Sequence, residues 1–120
     1  TIHFFPPEQD IASVYLGSSV FVLSSRYEGF GMVLIEAMAC GVPCVSFDCP
    51  YGPSDIIKNN EDGFLVENGD VAELANKIVA VISNDDLRQK LGHQAKANVT
   101  RYLPEPICAQ WDVLFQSLLS

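Results

Sequence analysis

Ser24-Ser25-Arg26-Tyr27-Glu28-Gly29-Phe30-Gly31-Met32-Val33-Leu34-Ile35-Glu36 is the stretch on which the reading of the chain turns. An apolar run, Val20 to Leu23, enters it, and a helix-forming run, Met32 to Cys40, leaves it. Between them lies a glycine-rich turn, Glu28-Gly29-Phe30-Gly31. Strand, glycine turn and helix together make an anion site. The helix start offers backbone N–H groups without partners and the positive end of the helix dipole, and glycine lets a phosphate come close. Two carboxylates, Glu28 and Glu36, bracket the turn with seven residues between them.

Working outward, strand-like and helix-like runs alternate. Thr1 to Phe5 reads as a strand with no turn or cap before it, so the chain is expected to be an N-terminally truncated fragment. Pro6 and Pro7 end that strand. Glu8 to Leu16 reads as a short helix whose inner face is Ile11, Val14 and Tyr15, with Gly17 as its cap. Val20 to Leu23 is a continuous apolar run of the kind found in buried parallel strands. The helix from Met32 is apolar nearly all round and is expected to be buried on most sides. Gly41 closes it, and Val42 to Phe47 forms the next strand, with Pro43 at its start.

Asp48 to Gly52 is a loop, and Pro53 opens a short helix through Ser54 to Lys58. Phe64 to Val66 is a short strand. Asp70 with Glu73 resembles a capping box, and Val71, Leu74, Ala75, Ile78 and Ile82 form the stripe of the helix that follows. Another helix starts at Asp85 or Asp86, with Leu87 and Leu91 inward. After Pro104 and Pro106, Ile107, Trp111, Leu114 and Leu118 space a last amphipathic helix, with Trp111 in its core face. The whole chain, 1–120, reads as one α/β unit with a Rossmann-like, three-layer parallel sheet. Ligands of such sheets sit beyond the carboxyl ends of the strands, where Glu28 to Gly31 and Asp48 to Asp55 would flank one crevice.

Composition narrows the function. The 120 residues carry a net charge of −8 and are 48% hydrophobic, enough for a core. The negative charge, without any Lys/Arg cluster, argues against nucleic acid and against anionic lipid as main partners. No apolar run reaches the roughly 20 residues that span a bilayer, and no signal peptide opens the chain. Cys40, Cys44, Cys49 and Cys108 match no zinc spacing, so no metal site is expected, and their pattern fits a reducing, cytoplasmic setting. His3 and His93 read as structural or surface residues.

The residues of the turn admit two readings each. Gly29 and Gly31 could serve only a tight strand-to-helix turn, since a short Gly-x-Gly match is weak. The dinucleotide pattern is excluded because Leu34 stands at its third glycine, and no Walker loop is present. Glu36 is the sole charge between Glu28 and Asp48, on an otherwise apolar helix. Either it lies on an exposed edge or caps a neighbouring backbone, or it accepts hydrogen bonds from ligand hydroxyls such as those of a ribose. Glu28 is either a capping carboxylate or an acceptor for sugar hydroxyls that also stabilises positive charge developing on a sugar ring.

Glu28-Gly-Phe-Gly-Met-Val-Leu-Ile-Glu36 closely resembles the E-x7-E motif of retaining glycosyltransferases of the GT-B fold, above all glycosyltransferase family 4. Val20-Phe-Val-Leu-Ser-Ser resembles that family's preceding strand, though Ser24 stands where Pro is common. Glu36-Ala-Met-Ala-Cys-Gly-Val-Pro-Cys-Val, Tyr51-Gly-Pro-Ser-Asp-Ile-Ile and Asp62-Gly-Phe-Leu-Val resemble further segments of it. The resemblance implies a partial C-terminal, donor-binding domain of a GT-B fold. It implies that Glu28 is the catalytic-site residue facing the donor sugar, that Gly29 and the backbone of Phe30, Gly31, Met32 and Val33 hold the diphosphate, and that Glu36 binds the ribose. The implied substrate is a nucleotide sugar, a UDP-sugar for preference, used without metal or other cofactor. The acceptor would be a glycan or a lipid-linked glycan met by an N-terminal domain, in surface polysaccharide synthesis at the inner face of the membrane. The family's phosphate-binding cations would lie upstream, with Arg26 and Lys58 the candidates within the chain. The isolated fragment is expected not to transfer sugar. With its usual neighbours gone, the Val20–Leu23 edge is expected either to pair with Ile2–Phe5 or to drive self-association. The competing class is a non-catalytic α/β module that binds nucleotide or phosphate at the same turn.

Overall fold

A computed structural model describes residues 1–119. Its elements in order are α1 (Ile11–Leu16), β1 (Phe21–Leu23), α2 (Met32–Ala39), β2 (Cys44–Asp48), α3 (Pro53–Ile56), β3 (Gly63–Glu67), α4 (Val71–Ser83), α5 (Asp85–Asn98), a 3-10 turn (Val99–Tyr102) and α6 (Pro104–Leu119). The three strands form one parallel sheet in the order β1-β2-β3. Phe21 faces Cys44 across the first pair, and Cys44 faces Gly63 across the second.

Side chains alternate between the two sheet faces, and this divides the core. On one face Leu23 and Cys44 pack with Leu34, Ala37 and Met38 of α2, and with Tyr15, Ile56, Ile57, Ala95 and Val99. On the other, Val45, Phe47, Phe64 and Val66 pack with Leu74 and Val81 of α4 and Leu91 of α5. Helices therefore cover both faces, which is the three-layer α/β arrangement expected from the alternation of runs. α5 serves both layers, with Leu91 in one cluster and Ala95 in the other.

The caps follow local chemistry. Asp70 accepts a hydrogen bond from the Glu73 amide at 3.0 Å and starts α4. Asn84, one residue before the expected Asp85 or Asp86, accepts from the Leu87 amide and starts α5. After α2 the chain reverses through Gly41, whose amide bonds to the Met38 carbonyl while that of Val42 bonds to Ala37.

Several expectations fail. Thr1 to Phe5 forms no strand, and Ile2, Phe4 and Phe5 are exposed. A strand exists through its neighbour's hydrogen bonds, and among the described residues no strand lies beside these. The re-pairing of Ile2–Phe5 with the β1 edge does not occur, and β1 pairs only with β2 among the described residues. Trp111 is half exposed and stacks on Phe115, with ring centroids 5.6 Å apart, rather than entering the core, and no residue of α6 is buried. Ile11 and Val14 are exposed, so Tyr15 alone anchors α1. In α4 the buried side is Leu74 and Val81, with Ile78 packed against it, while Val71 and Ile82 are exposed. α2 is only partly enclosed: Leu34, Ala37 and Met38 are buried, Met32 is exposed.

Among the described residues no helix is long and apolar enough to cross a membrane. All four cysteines are free thiols, Cys44 and Cys49 buried, Cys40 half-buried and Cys108 exposed.

Candidate functional site

Three loops leave the carboxyl ends of the three strands and meet. The first, residues 24–31, joins β1 to α2. The second, residues 49–52, joins β2 to α3. The third, residues 68–70, joins β3 to α4. Parallel strands aligned in register bring these ends together: Asp48 at the end of β2 faces Glu67 at the end of β3.

Contacts between the loops are close. Gly52 has φ +113°, and a Cβ there would overlap the Phe30 carbonyl and lie 2.8 Å from its Cα. Only glycine lets the second loop lie against the first in this way. The Asn68 side chain donates to the Arg26 carbonyl at 3.1 Å, and the Arg26 guanidinium lies against the Gly69 turn. Cys49 is buried; burial pushes its thiol up, and the charges of Glu28 and Asp48 add to that. Glu28 thus belongs to the same cluster as the second loop.

At the start of α2, Gly31 takes the left-handed conformation (φ +95°, ψ +46°), and no side chain caps the helix. The Leu34 amide turns back to the Gly31 carbonyl at 2.9 Å. The amides ahead of it are the group that a helix leaves for an outside acceptor. Gly29 differs from its neighbour. Its φ lies outside the left-handed region, and a Cβ there would meet nothing within 4 Å. Gly29 therefore borders open space, and no contact within the chain demands a glycine there.

Glu28 is half-buried before the helix. Glu36, one turn along α2, is exposed, and its Oε2 accepts a hydrogen bond from the Tyr15 hydroxyl at 3.0 Å. Of its readings from sequence, the exposed edge describes its position, and the backbone cap does not occur. Tyr15 itself is buried, and its ring stands edge-on to Phe21 with centroids 5.7 Å apart. Burial first, then the Glu36 carboxylate, pushes the Tyr15 hydroxyl up to about 12. Phe30 and Met32 are exposed at the turn and Val33 is half-buried. Phe30 stands edge-on to Tyr102 at 5.9 Å, and Tyr27 to Tyr51 at 6.0 Å.

Comparison with known proteins decides the family. The model of the family "Glycosyl transferases group 1" matches residues 1–98. The chain belongs to the group 1 glycosyl transferases. It is 42% identical over 97 residues to a poly(ribitol-phosphate) alpha-N-acetylglucosaminyltransferase of Staphylococcus aureus, covering 80% of this chain and 20% of that protein. Its structure superposes on the crystal structure of TarM with a TM-score of 0.83 at 37% identity, over 90% of this chain and 22% of that one. It superposes on Anabaena HepE in complex with UDP with a TM-score of 0.81 at 26% identity, over 92% of this chain and 30% of that one. The chain thus spans between 20% and 30% of the length of these three proteins, and its parallel α/β architecture fits part of the C-terminal domain of a GT-B fold.

The structure brings Glu28, Gly29, Phe30, Gly31, Met32 and Val33 into one continuous turn and helix start, with Glu36 on the same helix. Of the two cations proposed from sequence, Arg26 lies in the first loop with its guanidinium against the Gly69 turn, and Lys58 follows α3 and is exposed. His3 and His93 are both exposed, His93 on α5. Among the described residues no three His, Cys, Asp or Glu side chains converge as metal ligands. Sequence reasoning missed two residues. Tyr15 appeared only as one of three apolar positions on α1. Asp62 appeared only as the first residue of the Asp62-Gly-Phe-Leu-Val segment, with no partner assigned, yet it is fully buried, accepting from the Lys58 amide at 2.8 Å and from Asn98 Nδ2 at 2.9 Å.

Proposed function

We propose that this chain is the donor-binding part of a hexosyltransferase that moves a sugar from a nucleotide sugar, a UDP-sugar for preference, to a glycan or lipid-linked acceptor. The observation that carries this reading is the start of α2: an uncapped helix N-terminus behind open space at Gly29, between the carboxylates of Glu28 and Glu36. The membership of the chain in the group 1 glycosyl transferases supports it, as does its likeness to a structure solved with UDP.

The roles follow from chemistry. A glycosidic bond to a diphosphate breaks as negative charge builds on the leaving group. The amides of Phe30, Gly31, Met32 and Val33, with the positive end of the α2 dipole, stabilise that charge without need of a metal ion. Gly29 admits the phosphates to the backbone. Glu28 accepts hydrogen bonds from the sugar hydroxyls and offsets the positive charge that develops on the ring. Glu36 accepts from the ribose hydroxyls. Retention of anomeric configuration and membership in glycosyltransferase family 4 complete the reading.

The acceptor is held by an N-terminal domain of the full-length protein, which works in the cytoplasm at the inner face of the membrane in surface polysaccharide synthesis. By itself the chain transfers no sugar, and its open β1 edge is the contact through which copies associate. The test is a donor assay on the full-length protein with UDP-N-acetylglucosamine and UDP-glucose, beside Glu28→Ala and Glu36→Ala. The reading expects Glu28→Ala to abolish transfer and Glu36→Ala to weaken donor binding. Full activity in both variants refutes it.

A further inference from the structure

We propose that Tyr15 is a positioning residue for the nucleotide site: its buried hydroxyl fixes the Glu36 carboxylate in the orientation that receives a pair of vicinal ribose hydroxyls. The proposal rests on Glu36 being the ribose ligand, as set out above.

The geometry is asymmetric in an informative way. Glu36 is exposed on α2, while the tyrosine that holds it is 5% exposed, packed in the core with Leu23, Leu34 and Met38 and edge-on to Phe21. The ring is locked by its packing, so the hydroxyl is a fixed point. Its one hydrogen bond, to Glu36 Oε2 at 3.0 Å, reaches 21 residues along the chain, from α1 to α2. A free glutamate on a helix surface samples several rotamers, and a ligand that needs one of them loses affinity in proportion to the time spent in the others. Anchoring Oε2 removes that loss and leaves Oε1 open to accept from the ligand. The hydroxyl is raised to about 12 by its burial and by the carboxylate, so it stays a proton donor at every physiological pH. The ring sits in the core, and the hydroxyl reaches from α1 to a solvent-facing carboxylate on α2.

The test separates this role from the one it rests on. Binding of UDP, ADP and GDP to the full-length protein is measured by calorimetry, each beside its 2′,3′-dideoxy counterpart, and the tightest pair is read as a ratio. The wild type is expected to prefer the ribonucleotide about tenfold or more, the scale of a hydrogen bond to a charged group. Glu36→Ala removes that preference. Tyr15→Phe cuts it to about a third or less while leaving the dideoxynucleotide affinity unchanged. 4-Aminophenylalanine at position 15, which restores a donor, restores the preference. Should Tyr15→Phe not fold, 4-fluorophenylalanine fills the hydroxyl's volume without a donor and is expected to give the same loss. A full preference in Glu36→Ala overturns the ribose role of Glu36 and this proposal with it. A collapse in Glu36→Ala with full preference in Tyr15→Phe overturns the positioning role alone. So does an equal weakening of both nucleotides in Tyr15→Phe, which marks Tyr15 as merely structural.

Discussion

Gly52 rests on the backbone of Phe30 so closely that any side chain there would overlap the Phe30 carbonyl. The loop after β2 therefore braces the turn that carries Glu28 to Gly31. Gly52→Ala must either move that turn or leave the +113° conformation, at a cost of about 1–3 kcal/mol. The expected outcome in the full-length protein is a lower unfolding midpoint together with weaker UDP binding. Calorimetry of melting and of binding reads both. A fall in stability with unchanged affinity would mean that the brace does not shape the site.

Glu28→Gln keeps the size of the side chain and removes its charge. If the carboxylate offsets charge on the reacting sugar, kcat falls by about 10²–10³-fold, the scale of one lost electrostatic stabiliser. UDP affinity stays close to that of the wild type, since the diphosphate meets backbone amides. Steady-state kinetics beside equilibrium binding checks the split.

Asp62 is fully buried and ties the entry of β3 to the end of α5 through Lys58 and Asn98. Asp62→Ala leaves those donors without their partner and is expected to cost about 2–3 kcal/mol. Asn98→Ala costs a similar amount, and the double variant costs less than the sum, because both remove one network. Urea unfolding of the three variants measures this.

Tyr15 also sets a pH dependence. In the unfolded chain its hydroxyl ionises near 10, and in the folded chain it is held up to about 12, first by burial and then by Glu36, with smaller contributions from Cys44 and Cys40. A raised value means stability present in full below pH 10 and lost as the pH climbs towards 12. Tyr15→Phe removes this contribution. Its stability relative to wild type should therefore improve between pH 10 and 12, read from urea midpoints across that range.

The fold was legible wherever an element carries its own signal. Val20 to Leu23, Val42 to Phe47 and Phe64 to Val66 are runs of strand length, and each holds a strand of the sheet, although β1 starts only at Phe21 and β2 only at Cys44. Asp70 and Glu73 make the capping contact their spacing suggests. What was not legible depends on partners. Ile2, Phe4 and Phe5 have strand character but no neighbouring strand. On α4, the expected stripe and the observed one, Leu74, Ile78 and Val81, both have helical spacing, and only the position of the sheet chooses between them. Trp111 is apolar enough for a core, yet among the described residues no layer covers α6. The glycine turn from Glu28 to Gly31 and the helix after it were readable because their signals lie side by side in the sequence. The reach of Tyr15 to Glu36, and of Asp62 to Asn98, crosses 21 and 36 residues and leaves no mark in either neighbourhood.

The central claim is that the turn between Glu28 and Glu36 cradles the donor nucleotide. A crystal structure of the full-length protein with bound UDP tests it most directly. The account predicts the diphosphate at the amides of residues 30–33, with the Glu36 carboxylate within hydrogen-bond distance of the ribose hydroxyls. A diphosphate bound elsewhere, with the start of α2 open to solvent, would contradict it.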